Sequence, residues 1–195
     1  MNNCKTIILY FGSFNPIHKG HLALANAALS ELKLTENILG EVWFVLSAQN
    51  PFKKQANLWP DNKRAELIRQ AIFAFPNFKF CEVELQLPKP SYTIVSLDFL
   101  HQTYPTNVFY LLMGEDNLSQ LHLWKDYSRI LTQHKIMVYP RENHAVCQET
   151  ASKDYPILRE YPNQILWLKQ PLINISSSEI RNKIKNGEDV ADLLP

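Results

Sequence analysis

The chain has 195 residues, 46% of them hydrophobic and 20% charged, the composition of an ordinary globular protein with room for one sizeable core. A net charge of +1 is no basic surplus, which argues against nucleic acid or an anionic membrane as the main partner while leaving local anion sites open. Cys4, Cys81 and Cys147 are far apart and form no CxxC pair, so reduced thiols in a cytoplasmic protein are expected rather than disulfides or a cysteine zinc site.

The opening MNNCK lacks the basic-then-apolar pattern of a signal peptide, and no apolar run has the length of a bilayer span. Residues 6–11, short, apolar and followed by Gly12, predict a buried strand. Over 19–34, Leu22, Ala25, Leu29 and Leu32 recur at helical spacing and predict an amphipathic helix. A strand over 41–46, a polar loop over 47–60 and a helix over 61–75 follow, with Asp61 expected as N-cap. Residues 78–84 alternate as a strand does. Ser91 is the expected cap of a helix running to Thr103, and 107–113 predict a strand that ends at Gly114.

A short helix is expected over 124–133, with strands over 134–139 and 164–168. Residues 176–178 open a last helix, which stops at Asn186-Gly187, a left-handed C-cap. The stretch 142–163 is the least regular. Strands this apolar, alternating with helices, predict an α/β fold: a Rossmann-like open parallel sheet with helices on both faces. There is no repeat, low-complexity tract or linker, so residues 1–195 read as a single domain.

The loop after the first strand carries chemistry. GSFNPIHKGH, Gly12 to His21, holds two glycines, a proline and two histidines. Such a loop sits at the carboxyl end of a central strand, where open α/β sheets bind ligands. His18 and His21, three residues apart at a helix start, can face one volume, and helix-start amides favour phosphate there. Neither GxxxxGK[ST] nor GxGxxG is present. A zinc reading needs a third ligand, and none lies close in sequence. A Gly/Pro turn with two incidental histidines is the plain alternative.

Far downstream stands ISSSEIR, Ile175 to Arg181. The first motif resembles the G-[ST]-F-[DN]-P-x-H-x-G-H signature of the nucleotidyltransferase superfamily, and the second resembles that superfamily's ISS[ST]xIR. The pair, in this order, is a strong signal. Between them, the NPFK stretch over 50–53, the PSYT run over 90–93, Gly114-Glu115-Asp116, Trp124 and Arg141 resemble successive landmarks of bacterial nicotinate-nucleotide adenylyltransferases. That family usually has Gly where this chain has Phe11, and Asp where it has Asn15. Its members usually continue past the LLP near the end, whereas this sequence stops at Pro195.

The resemblance implies a Rossmann-like enzyme of NAD biosynthesis that joins the AMP of ATP to nicotinate mononucleotide, releasing pyrophosphate. It implies that His18 and His21 address the triphosphate, with backbone amides of Gly12, Ser13 and Phe14. Lys53, with Lys54 as fallback, would meet the triphosphate or departing pyrophosphate. Ser177, Ser178 and Arg181 would form a second phosphate grip. For the mononucleotide it implies Trp124 stacking on the pyridine, amides near Tyr92, Thr93 and Lys125 for the carboxylate, and Gly114 and Asp116 at the ribose, with Gln49 and Arg141 as further contacts. Mg²⁺ is expected with ATP, held by phosphate oxygens and water, with no protein ligand named. The expected partners are ATP and nicotinate mononucleotide, with no nucleic acid or membrane; a homo-oligomer is left open.

Two rivals stand beside this. One is a related adenylyltransferase with nicotinamide mononucleotide or phosphopantetheine as acceptor, although the phosphopantetheine enzymes usually have Thr where His18 stands. The other is a catalytically silent nucleotide-binding regulatory protein, against which intact His18, His21 and Arg181 argue. His101, His122, His134 and His144 carry no motif and read as surface or structural.

Overall fold

The computed structural model describes residues 4–47, 58–140, 155, 157–169 and 175–195. Six parallel strands form one sheet: β1 (Thr6–Gly12), β2 (Gly40–Leu46), β3 (Phe78–Cys81), β4 (Val108–Gly114), β5 (Ile136–Tyr139) and β6 (Ile165–Trp167). Their spatial order is β3-β2-β1-β4-β5-β6. The chain winds outward from β1 to β3, crosses back to β4 beside β1, and winds out the other way. The order therefore reverses between β1 and β4, and the crevice beyond their carboxyl ends is where such sheets take ligands.

The helices are α1 (Lys19–Glu36), α2 (Asp61–Ile72), α3 (Val83–Gln86), α4 (Thr93–Thr103), α5 (Glu115–Gln120), α6 (Tyr127–Gln133), α7 (Ile157–Glu160) and α8 (Ser177–Lys185). Alternate residues of a strand face opposite sides of the sheet, and here both sides are dry. Ile8 and Tyr10 of β1 pack with Leu22, Ala25, Ala28 and Leu32 of α1 and Ala65, Ile68 and Ile72 of α2. Ile7 and Leu9 face the other way, onto Ile94, Leu97 and Leu100 of α4 and Ile130 and Leu131 of α6. Burying each such side chain stabilises the fold by roughly 1.5–3 kcal/mol, which explains why the strands read as unbroken apolar runs.

Several local expectations are corrected. Asp61 is the first residue of α2 rather than its cap, and its carboxylate accepts from Arg64 Nη2 at 2.6 Å. The strand expected to reach Glu84 stops at Cys81, and Glu84 turns inward on α3, where it accepts from the Ser91 and Ser96 hydroxyls. Ser91 is thereby spent on Glu84, and Tyr92 takes the N-cap position of α4. Trp124 closes a 3₁₀ turn (Leu121–Leu123), and α6 begins only at Tyr127, after Asp126 at φ 52°. The short helix α5 springs directly from β4 and was not expected. At the chain's far end the forecast holds: α8 ends at Asn186 with Gly187 at φ +75°.

Candidate active site

Gly12 ends β1, and its carbonyl accepts from the amide of Ser47, just beyond β2. The chain then turns sharply. Phe14 sits in the left-handed region at φ 41°, with its ring buried against Tyr10, Phe44 and His21. A Cβ on Gly12 would lie 2.8 Å from that ring, so Gly12 makes room for Phe14. Gly20 plays the same part for His18, since its Cβ would come within 3.0 Å of His18 Nδ1. The space that these two glycines leave is taken by protein rings.

His18 precedes α1 and His21 lies in its first turn. Their ring centroids lie 3.7 Å apart, with the planes inclined by 30°. The His18 backbone N–H donates to His21 Nδ1 at 3.2 Å, which places the His21 ring proton on Nε2. His18 Nδ1 is buried at the start of α1 and makes no hydrogen bond among the described residues. The positive end of the helix favours a lone pair on that nitrogen, and therefore a proton on Nε2 there too. Burial also pushes His18 down to about 4, so it is a neutral imidazole at physiological pH. The pair presents two Nε2–H donors side by side, suited to neighbouring phosphoryl oxygens.

The two motifs, distant in sequence, meet here. Ser177 Oγ donates to the Pro16 carbonyl at 2.9 Å, and Arg181 Nη1 donates to the Asn15 carbonyl at 2.7 Å. Arg181 Nη2 reaches Ser178 Oγ at 3.1 Å, and Ser176 caps α8 by accepting from Glu179 N–H. The Ser177 hydroxyl thus fastens the loop, a role the sequence did not disclose. The start of α1 is also partly occupied: Lys19 N–H donates to Leu193 O, and Lys19 Nζ to Asp192 O.

Asn15 is 2% exposed, and its Oδ1 accepts from Trp59 N–H at 3.0 Å. A carboxylate could accept the same bond, so Asn in place of the usual Asp preserves this contact. Arg64, unflagged by the sequence reading, lies under the loop with its side chain wholly buried. A signal for it existed: Arg64 shares a helix face with Ile68 and Ile72, so a cation stands on an apolar stripe.

The second cluster lies beyond β4 and α4. Lys125 Nζ sits 5.1 Å from the centre of the Tyr92 ring, bringing the start of α4 to the turn after Trp124. Thr93 opens α4, and Trp124 is half-buried and packs on the core. Gly114 ends β4, where a Cβ would meet the Tyr139 ring at 3.0 Å, and Asp116 is exposed in the first turn of α5. Gln49, Lys53, Lys54, Arg141 and His144 lie outside the described residues. His134 is buried and structural, its Nδ1 3.1 Å from the Phe109 carbonyl.

A doubly wound sheet with a paired-imidazole loop at its switch point defines a class, the α/β proteins that handle nucleotides there. Comparison with known proteins narrows it. The cytidylyltransferase-like family model matches residues 9–183. The chain is 42% identical over 188 residues to the probable nicotinate-nucleotide adenylyltransferase of Flavobacterium psychrophilum, covering 96% of this chain and 90% of that one. It is 41% identical over 186 residues to the corresponding protein of Bacteroides fragilis, covering 95% and 85%. In fold it resembles the Plasmodium falciparum nicotinic acid mononucleotide adenylyltransferase complexed with NaAD, with a TM-score of 0.72 at 20% identity, covering 96% of this chain and 88% of that one. The chain belongs to the nicotinate-nucleotide adenylyltransferases of the cytidylyltransferase-like family.

Proposed function

We infer that the chain transfers AMP from ATP to nicotinate mononucleotide, forming deamido-NAD and pyrophosphate in NAD biosynthesis, with residues 1–195 acting as one domain. The observation that carries this is the meeting of the two motifs, with Arg181 and Ser177 bound to the backbone of the loop that carries His18 and His21. A mononucleotide phosphate oxygen attacks the α-phosphorus in line, the bond to the β-phosphate oxygen breaks, and pyrophosphate departs. The attacking phosphate is already ionised at neutral pH, so no general base is needed. Positioning and charge stabilisation supply the catalysis.

His18 and His21 donate to the α- and β-phosphates through Nε2–H. Amides of Gly12, Ser13 and Phe14 add donors, Arg181 and the start of α8 complete the grip, and Lys53 meets the leaving pyrophosphate. Mg²⁺ enters with ATP, held by phosphate oxygens and water. On the acceptor side, amides at Thr93 and Lys125 receive the nicotinate carboxylate, Trp124 stacks on the pyridine, and Gly114 and Asp116 serve the ribose. Tyr92, Gln49 and Arg141 line the same side. Cys4 and Cys81 are free thiols, which suits the cytoplasm.

The test is pyrophosphate release from Mg-ATP with nicotinate mononucleotide, nicotinamide mononucleotide or phosphopantetheine offered singly. Nicotinate mononucleotide should be used fastest, and excess EDTA should stop the reaction. Preference for phosphopantetheine would overturn the acceptor assignment, and no release with any acceptor would overturn the enzyme reading.

A further inference from the structure

The proposed chemistry makes no use of the fully buried Arg64 guanidinium beneath the loop. Arg64 Nη1 donates to the carbonyls of Ser13 at 2.6 Å and Ser47 at 3.1 Å, Nε to the Trp59 carbonyl at 3.0 Å, and Nη2 to the Asp61 carboxylate at 2.6 Å. Three acceptors are main-chain carbonyls from three segments: the loop after β1, the exit of β2 and the approach to α2. A buried cation is costly unless its donors are matched, and an apolar side chain of similar volume would fill the space at less cost. What Arg64 adds is geometry.

That geometry bears on one peptide. The Ser13–Phe14 peptide is not among the cis bonds, so it is planar and trans, and its N–H points opposite to its C=O. Anchoring the Ser13 carbonyl on Arg64 turns the Phe14 N–H away from the guanidinium. Phe14 holds a left-handed backbone at φ 41°, which costs a non-glycine residue roughly 1–2 kcal/mol and would relax if released. Two residues on from Ser13, the Asn15 carbonyl accepts from Arg181. Two guanidiniums therefore hold the carbonyls of the residues that precede and follow Phe14.

We propose that Arg64 is a positioning residue: by holding the Ser13 carbonyl it aims the Phe14 amide at the phosphates of ATP. This rests on the ATP cradle proposed above. It makes Arg64 specific to the ATP half of the site, since its contacts reach the loop and not α4 or the turn after Trp124.

The experiment uses the full ¹⁵N-labelled chain with Mg²⁺ and α,β-methylene-ATP. In the unaltered protein the Phe14 amide resonance should move on saturation. Arg64→Lys keeps the charge but loses the fork, and should weaken analogue affinity about 10²-fold while mononucleotide affinity changes less than about twofold. A lower melting temperature with unchanged analogue affinity would make Arg64 merely structural and overturn the proposal. Should Arg64→Lys fail to fold, Asp61→Asn loosens Nη2 together with Lys89 Nζ, so Lys89→Met is measured beside it; Asp61→Asn should weaken the analogue several-fold more than Lys89→Met does, and an equal effect overturns the proposal. A Phe14 amide that stays still while the analogue binds overturns it without any variant. Failure of the unaltered protein to bind the analogue overturns the cradle itself, and this inference with it.

Discussion

The imidazoles of His18 and His21 lie face to face, with centroids 3.7 Å apart and planes inclined by 30°. Two protonated rings at that separation would repel, and His18, kept neutral by burial, donates through Nε2–H without that repulsion. His21→Ala removes one donor and the acceptor of the His18 backbone N–H. Turnover should fall by about 10²–10³-fold, as for loss of an oxyanion donor, with stability lowered by about 1 kcal/mol. Steady-state kinetics beside a urea melt checks both, and unfolding without a specific catalytic defect would contradict the assignment.

Burial moves His18 from 6.5 to about 4 in the folded state. As pH falls through 6.5 the unfolded chain takes up a proton that the folded chain refuses until about 4. The stability held above 6.5 is therefore lost across that window, by about 3 kcal/mol in all, and the loss levels off below it. His134, also lowered by burial, acts in the same direction. Glu41, pulled down to about 2 with Lys5, Lys79 and Trp43 as its hydrogen-bond partners, matters only below its ordinary 4.5. Urea melts at pH 7 and pH 5 should show a smaller drop for His18→Asn than for the parent chain, and an equal drop would contradict the buried neutral imidazole.

Gly20→Ala gains helix propensity, by roughly 1 kcal/mol, and puts a methyl group 3.0 Å from His18 Nδ1. The ring must shift to admit it. Turnover should fall tenfold or more while the melting temperature moves by only a few degrees, about the effect of 1 kcal/mol. A crystal structure of the variant should show His18 displaced from its stack on His21.

Asn15→Ala leaves the Trp59 N–H without its buried acceptor and should cost about 1–3 kcal/mol. Asn15→Asp retains an acceptor oxygen and should cost less. Chemical denaturation of the two variants side by side measures the difference.

Ser177→Ala deletes the bond to the Pro16 carbonyl and nothing at the reacting atoms. The loss should appear mainly in the KM for ATP, by a few-fold, as the two motifs loosen. Loss of kcat alone would place the hydroxyl on the chemistry instead.

Much of this was legible beforehand because it is local or periodic. The strands of a doubly buried sheet announce themselves as apolar runs, and helix faces by spacing, so β1, α1, β2, β4 and α8 were found within a residue or two. Errors fell where a side-chain partner outweighed the capping or alternation signal. Ser91 looked like a cap but bonds to Glu84, and Glu84 looked like strand but turns inward to meet Ser91 and Ser96. Asp61 looked like a cap but serves Arg64.

From the order of residues alone came the alternation of strands and helices, both phosphate motifs and their relation to a family. These depend on patterns within ten or twenty neighbouring positions. Only the tertiary structure decided what each motif residue touches: Gly12 and Gly20 yield to Phe14 and His18, Ser177 and Arg181 hold the loop's carbonyls, and Arg64 lies beneath it. The physical reason is that a hydrogen bond or a steric gap joins residues by distance in space, and α8 reaches the loop after β1 across 161 residues of chain.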